Sequence, residues 1–103
     1  MVILVKIREV LNSKGRNLEI VGRIKSKEKV ILPNIRLAKA VLEDETGSII
    51  LNLWREQVDQ CDVGDLVRIK KAYVRYYKGT PELNTWEDIE VLERGKATRN
   101  QTF

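Results

Sequence analysis

The sequence predicts an all-β fold, a five-stranded Greek-key barrel with a short helical or irregular segment between its third and fourth strands. Three observations predict it. Turn-forming residues recur at SKG (13–15), LPN (32–34), DETG (44–47), DVGD (62–65), KGTP (78–81) and RGK (94–96), each a cluster that favours chain reversal. Between them lie five runs rich in β-branched and aromatic residues, as strands require. A glycine inside the first run and a change of phase inside the fourth are devices by which a small sheet bends and closes.

Taken in order, MVILVKIREVL is apolar but carries Lys6 and Arg8 and has no small-residue cleavage pattern, so a signal peptide is not expected. KIREVLNSKG (6–15) reads as a helical turn ended by Gly15, and residues 1–15 as a segment packed on the barrel. The first strand is LEIVGRI (18–24); Gly22 in its middle is costly unless the strand bends sharply or is closely approached. The second, IRLAKAVL (35–42), leaves its inward phase open. DETG is a hairpin turn in which Gly47 is expected at positive φ.

The third strand, SIILNLW (48–54), alternates cleanly. With Ile49, Leu51 and Leu53 inward, Ser48, Ile50, Asn52 and Trp54 face out. A tryptophan on that side of a small barrel calls for an explanation. REQVDQC (55–61) breaks the alternation and forms the crossover. In the fourth strand, LVRIKKAYVRYY (66–77), Val67 and Ile69 share one phase while Ala72 and Val74 share the other. A β-bulge at Lys70 and Lys71 would restore the inward face. It would also put Tyr73, Arg75 and Tyr77 together outside and Tyr76 in the core. The fifth strand, ELNTW with the following IEVL (82–92), turns Asn84 and Trp86 outward. The barrel then spans 16–92, and ERGKATRNQTF (93–103) is a short, polar, flexible tail whose Phe103 is uninformative.

Composition narrows the function. At 103 residues, 43% hydrophobic and 33% charged, the chain reads as one domain with one core. It has no apolar run long enough for a membrane span, so a soluble cytoplasmic protein with no membrane partner is expected. One cysteine, Cys61, and no histidine leave too few soft ligands for a zinc site and remove the commonest general base. No metal, no cofactor and no enzymatic activity are expected. Cys61 reads as a small hydrophobe.

Net charge is only +4, but it is unevenly distributed. Residues 23–39 carry net +5 and 66–80 also +5, whereas 43–65 carry −6 and 81–93 carry −5. Any one block can be merely a solvated face. Jointly, the basic blocks fall on the first inter-strand loop and on the fourth strand with its following loop, which flank the binding face of a Greek-key barrel. A basic groove there would track a phosphate backbone.

DETGSI (44–49), LNLW (51–54), VGDLVRIKKAYVRYYKG (63–79) and LN (83–84), preceded by NLEIVGRI (17–24), resemble the OB-fold domains of the simple archaeal and eukaryotic single-stranded DNA-binding proteins and of archaeal replication protein A. The resemblance covers roughly residues 16–92. It implies that Trp54, Tyr73 and Tyr77 are base-stacking aromatics, the residues that alternation turns away from the core. Some relatives carry a further aromatic where this chain has Asn84; here Trp86, two residues on, is the candidate substitute. Arg75, between the two tyrosines, is the first candidate for phosphate or base contact. Lys78, Arg36 and Lys39 follow it, with Arg23 and Lys25 weaker. Asn52 and Asn84 are candidates for base edges or sugars, against a simple exposed polar role.

The function expected is sequence-tolerant binding of single-stranded DNA in replication, recombination or repair. The alternatives are single-stranded RNA, since stacking does not distinguish the sugar, and an OB-fold subunit that binds a protein partner through its acidic blocks.

Overall fold

A computed structural model describes residues 3–12 and 15–95. Residues 1–2, Ser13 and Lys14 of the SKG turn, and residues 96–103, which include Lys96 of the RGK turn and Phe103, lie outside the described residues. The strands are β1 (Ile3–Leu4), β2 (Leu18–Val30), β3 (Leu37–Asp44), β4 (Gly47–Trp54), β5 (Leu66–Tyr77), β6 (Thr80–Asn84) and β7 (Glu90–Glu93). A 3-10 helix at Ile7–Asn12 precedes β2, and another at Arg55–Asp59 crosses from β4 to β5.

Five strands close a ring. β2 pairs with β3, β3 with β4, β4 with β6, β6 with β5, and β5 again with β2. All are antiparallel except β4–β6, which is parallel. Closure depends on β2, whose first half pairs with β5 and whose second half pairs with β3. Gly22 sits where the two halves meet, and a Cβ there would lie 2.9 Å from the Glu43 carbonyl oxygen and from Leu42 Cγ. Close approach of β3 therefore accounts for the mid-strand glycine. The bulge expected in the fourth strand is present: Leu18 pairs with Ala72 but Ile20 with Ile69, so β5 holds one extra residue. Lys71 absorbs it at φ 53°, and the inward face passes from Val67 and Ile69 to Ala72.

Leu18, Ile20 and Ile24, Ala38, Ala40 and Leu42, Ile49, Leu51 and Leu53, and Leu83 complete the barrel interior. Ala38, Ala40 and Leu42 settle the phase that the second strand left open. Ile7 and Val10 of the first 3-10 helix plug one end, with Val58, Cys61 and Ile89 also buried. Asp44 fastens that plug, because its carboxylate accepts the Ile7 N–H at 2.9 Å as well as the Thr46 N–H and hydroxyl. DETG thus forms the hairpin expected, with Gly47 at a positive φ of 159° and the Asp44 side chain holding the turn.

Two expectations are corrected. The fifth strand is two: β6 stops at Asn84 because Thr85 Oγ turns to the Lys70 carbonyl and accepts the Glu87 N–H, and the Ile89 N–H goes to Gln60 Oε1. β7 then resumes the pairing with β5 at Leu66–Arg68, on the edge opposite β2. Tyr76 is not core but 63% exposed. It pairs with Pro81 in the β5–β6 hairpin, where residues 75–80 are all exposed and no core lies beneath the apparently inward phase.

Candidate functional site

Strand pairing assembles one outer face from residues far apart in sequence. Lys39 lies opposite Asn52, Asn84 opposite Tyr73, and Glu82 opposite Arg75. Side chains of like phase on adjacent strands stand side by side. Trp54, at the end of β4, and Trp86, just beyond β6, close two sides of a groove of about 560 Å³ whose lining also includes Tyr73, Arg75, Tyr76, Tyr77 and Arg55. Trp54, Tyr73, Tyr77 and Trp86 therefore share one groove.

The rings differ in setting. Trp86 is 86% and Tyr77 58% exposed, whereas Trp54 and Tyr73 are half-buried. Trp86 stacks on Tyr73 with centroids 6.4 Å apart and planes 26° from parallel. The Arg75 guanidinium lies 5.8 Å from the Tyr73 centroid, and the Lys39 and Lys78 ammoniums each lie 5.5 Å from that of Tyr77. These are cation–π distances.

Beneath the rings runs a buried polar network, which corrects the expectation that Asn52 and Asn84 are exposed. Burial covers both. Glu82 Oε1 accepts from Lys39 Nζ and from Asn52 Nδ2, each at 2.9 Å. Asn52 Oδ1 accepts from Lys39 Nζ, and its amide also donates to Asn84 Oδ1 at 3.2 Å. Asn84 Oδ1 finally accepts the Trp54 indole N–H at 2.9 Å. Burial pushes the Glu82 pKa up, but the hydrogen bonds from Asn52 and Lys39 outweigh it and hold the carboxyl below its ordinary range. The carboxylate stays ionised and the network fixes the plane of Trp54. Since the indole N–H is already used, that ring can offer a base its π-face but no donor.

Gln57 links the two tryptophans. Its Oε1 accepts the Trp54 backbone N–H at 2.9 Å, and its Nε2 donates to the carbonyls of Thr85 and Glu87, each at 2.8 Å. The crossover helix thereby ties the end of β4 to the loop that bears Trp86.

The charge blocks pair with one another. Lys25 meets Glu43, Lys27 meets Asp62, and Arg36 grips Asp59 with two bonds of 2.8 Å. Lys39 meets Glu82, Arg68 and Lys70 meet Glu90, and Arg23 meets Glu93. Alternating sign along the chain becomes pairing across neighbouring segments. Arg36 accordingly has its guanidinium engaged and does not line the groove. Among the described residues on this face, Arg55, Arg75 and Lys78 make no ion pair. Arg55 was missed from the sequence, although it stood out there as the single basic residue of an acidic block. It adopts φ 56°, a left-handed conformation, as the chain leaves β4.

Comparison with known proteins identifies the fold and the family. Over 57 residues the chain is 30% identical to the single-stranded DNA binding protein Ssb of Saccharolobus solfataricus, a match covering 55% of this chain and 38% of that protein. The chain therefore spans well under half of that relative's length. The OB domain of Ta0387 from Thermoplasma acidophilum superposes with a TM-score of 0.73 at 24% identity, over 97% of this chain and 90% of that one. The second OB-fold domain of replication protein A from Methanococcus maripaludis superposes with a TM-score of 0.57 at 23% identity, over 78% and 87%. The family model described as "Single-stranded DNA binding protein Ssb-like, OB fold" matches residues 2–91. With the five-stranded ring and nearly the whole chain matched, this protein belongs to the Ssb-like OB-fold family of single-stranded DNA-binding proteins, a family of binding proteins and not of enzymes.

Proposed function

We propose that this chain binds single-stranded DNA without sequence preference by stacking bases on Trp54, Tyr73, Tyr77 and Trp86, and that it serves to protect exposed strands in replication, recombination or repair. The observation that carries the reading is the gathering of these four aromatics from three parts of the chain on one open groove, with Trp54 held in place from below. A single strand leaves both faces of each base free, so an exposed ring gains contact with any base. For OB-fold single-strand binders as a class, to which this chain belongs, each stack is worth about 1–3 kcal/mol by alanine substitution.

Arg75, Lys78 and Arg55 supply the phosphate contacts. Glu56 and Asp88 line the same groove, and Glu82 is neutralised by Lys39. Stacking therefore dominates over charge. These three contacts contribute about −2 to the slope of log affinity against log salt, from roughly −0.7 per phosphate on single strands. The protein-partner reading draws less support, since much of the acidity it relied on is taken up by internal ion pairs.

The test is a titration with a thymidine oligonucleotide, a uridine oligonucleotide and a duplex, followed by tryptophan fluorescence at low and high salt. Quenching by the single strand in preference to the duplex is expected, and Trp54→Ala weakens it by about 1–3 kcal/mol in a folded protein. Unchanged affinity in a folded Trp54→Ala/Tyr77→Ala variant overturns the stacking role. Equal affinity for the uridine strand would assign RNA as a second ligand.

A further inference from the structure

A second cleft, of about 440 Å³, adjoins the aromatic groove and shares Tyr73, Arg75 and Trp86 with it. Its distinctive feature is charge. The groove's lining holds two cations, Arg55 and Arg75, against three carboxylates, Glu56, Glu82 and Asp88. The cleft brings Arg16 and Lys71 beside Arg75, against Glu87 alone. Arg16 and Lys71 are both exposed and make no ion pair among the described residues, whereas much of the remaining basic charge is neutralised by neighbouring acids.

Two backbone features aim these cations. Lys71 is the bulged residue of β5 at φ 53°, and Asn17, beside Arg16, takes φ 56°. A bulge redirects the side chain of the extra residue away from the regular alternation of its strand. Regular pairing would leave Lys71 on the side opposite Lys70. The Gly15 carbonyl accepts the Val74 N–H at 2.8 Å, holding the start of the 15–17 segment against β5 just past that bulge. Two segments some 55 positions apart in sequence thus converge on one cationic spot next to exposed rings.

We propose that this cleft grips the sugar-phosphate backbone of the strand where it leaves the aromatic groove, with Arg16 and Lys71 each contacting a phosphate. The proposal rests on the reading of the groove as a single-strand site. The groove supplies stacking with little net charge, and the cleft adds two phosphate contacts to those of Arg55, Arg75 and Lys78. Continuity through Tyr73, Arg75 and Trp86 lets one strand occupy both.

The experiment compares wild type with Arg16→Gln/Lys71→Asn on thymidine oligonucleotides of about 4 to about 16 nucleotides, the span of OB-fold site sizes. Asparagine tolerates the left-handed backbone at position 71, and Lys71→Gly serves if the first variant is destabilised. The expected result is equal affinity for the shortest strands that wild type binds, and a variant curve that stops rising at a shorter length. On the longest strand the salt slope falls in magnitude by about 1.4 for two lost phosphates, so the wild-type advantage shrinks about sevenfold between 50 and 200 mM salt. Identical length and salt curves overturn the proposal while leaving the groove reading intact. Uniform weakening at every length also overturns it, by placing both cations within the groove itself. Failure of wild type to bind any of these strands removes the groove reading and the proposal with it.

Discussion

Replacing Glu82 by Gln tests whether the network beneath Trp54 is the charged structure described. The Glu82 side chain is 7% exposed and receives two bonds of 2.9 Å on one oxygen, from Lys39 Nζ and Asn52 Nδ2. Glutamine removes the charge and keeps an acceptor. A charge-assisted bond of about 1.5–3 kcal/mol becomes a neutral one of about 0.5–1.5 kcal/mol, a net loss of about 1–2 kcal/mol. The lower end is expected, because the Lys39 side chain is 35% exposed and its ammonium can return to water. The sign with pH follows from the lowered Glu82 pKa. Its ordinary value is 4.5; burial raises it, but the Asn52 and Lys39 bonds lower it further. Such a group stabilises the fold fully above its unfolded pKa and loses that contribution as pH falls through the folded one. Urea unfolding of wild type and Glu82→Gln at pH 7 and at about pH 3 should therefore show a gap that narrows in acid. Other carboxylates held low, such as Asp44 and Glu90, are common to both proteins and cancel. No gap at pH 7, or one that survives acid undiminished, refutes the reasoning.

Three further outcomes are expected. Gly22→Ala should cost about 1–3 kcal/mol by overpacking, because its Cβ would meet backbone and core atoms of β3 at 2.9 Å; a midpoint equal to wild type in denaturant unfolding would contradict the close approach. Burial pushes the Cys61 thiol up to about 11, so a disulfide reagent at pH 8 should react only as the protein unfolds, and prompt labelling of the native protein would contradict its burial. Gln57→Ala leaves the Trp54 N–H and two loop carbonyls without their partners, which should cost about 1–3 kcal/mol and loosen Trp86, read as lower fluorescence anisotropy in a Trp54→Phe background.

The sequence by itself determined the first four strands of the barrel, the crossover, the bulge at Lys70 and Lys71, and the outward phase of Trp54, Tyr73 and Tyr77. Each of these follows from local chemistry: turn residues, period-two alternation and the point at which that alternation slips. It also supplied the family resemblance, carried by short runs within and between strands. The tertiary structure alone decided what covers the outward face. Alternation says which side of a sheet a residue takes, not whether a neighbour lies over it, so Asn52 and Asn84 proved to be a buried floor and Tyr76 an exposed hairpin residue. Charge was misread for the same reason. Blocks of opposite sign are separate in one dimension but lie across neighbouring segments in three, where they neutralise one another and leave Arg55, Arg75 and Lys78 at the groove and Arg16 and Lys71 beside it. Coulomb attraction depends on distance in space, and chain closure sets that distance.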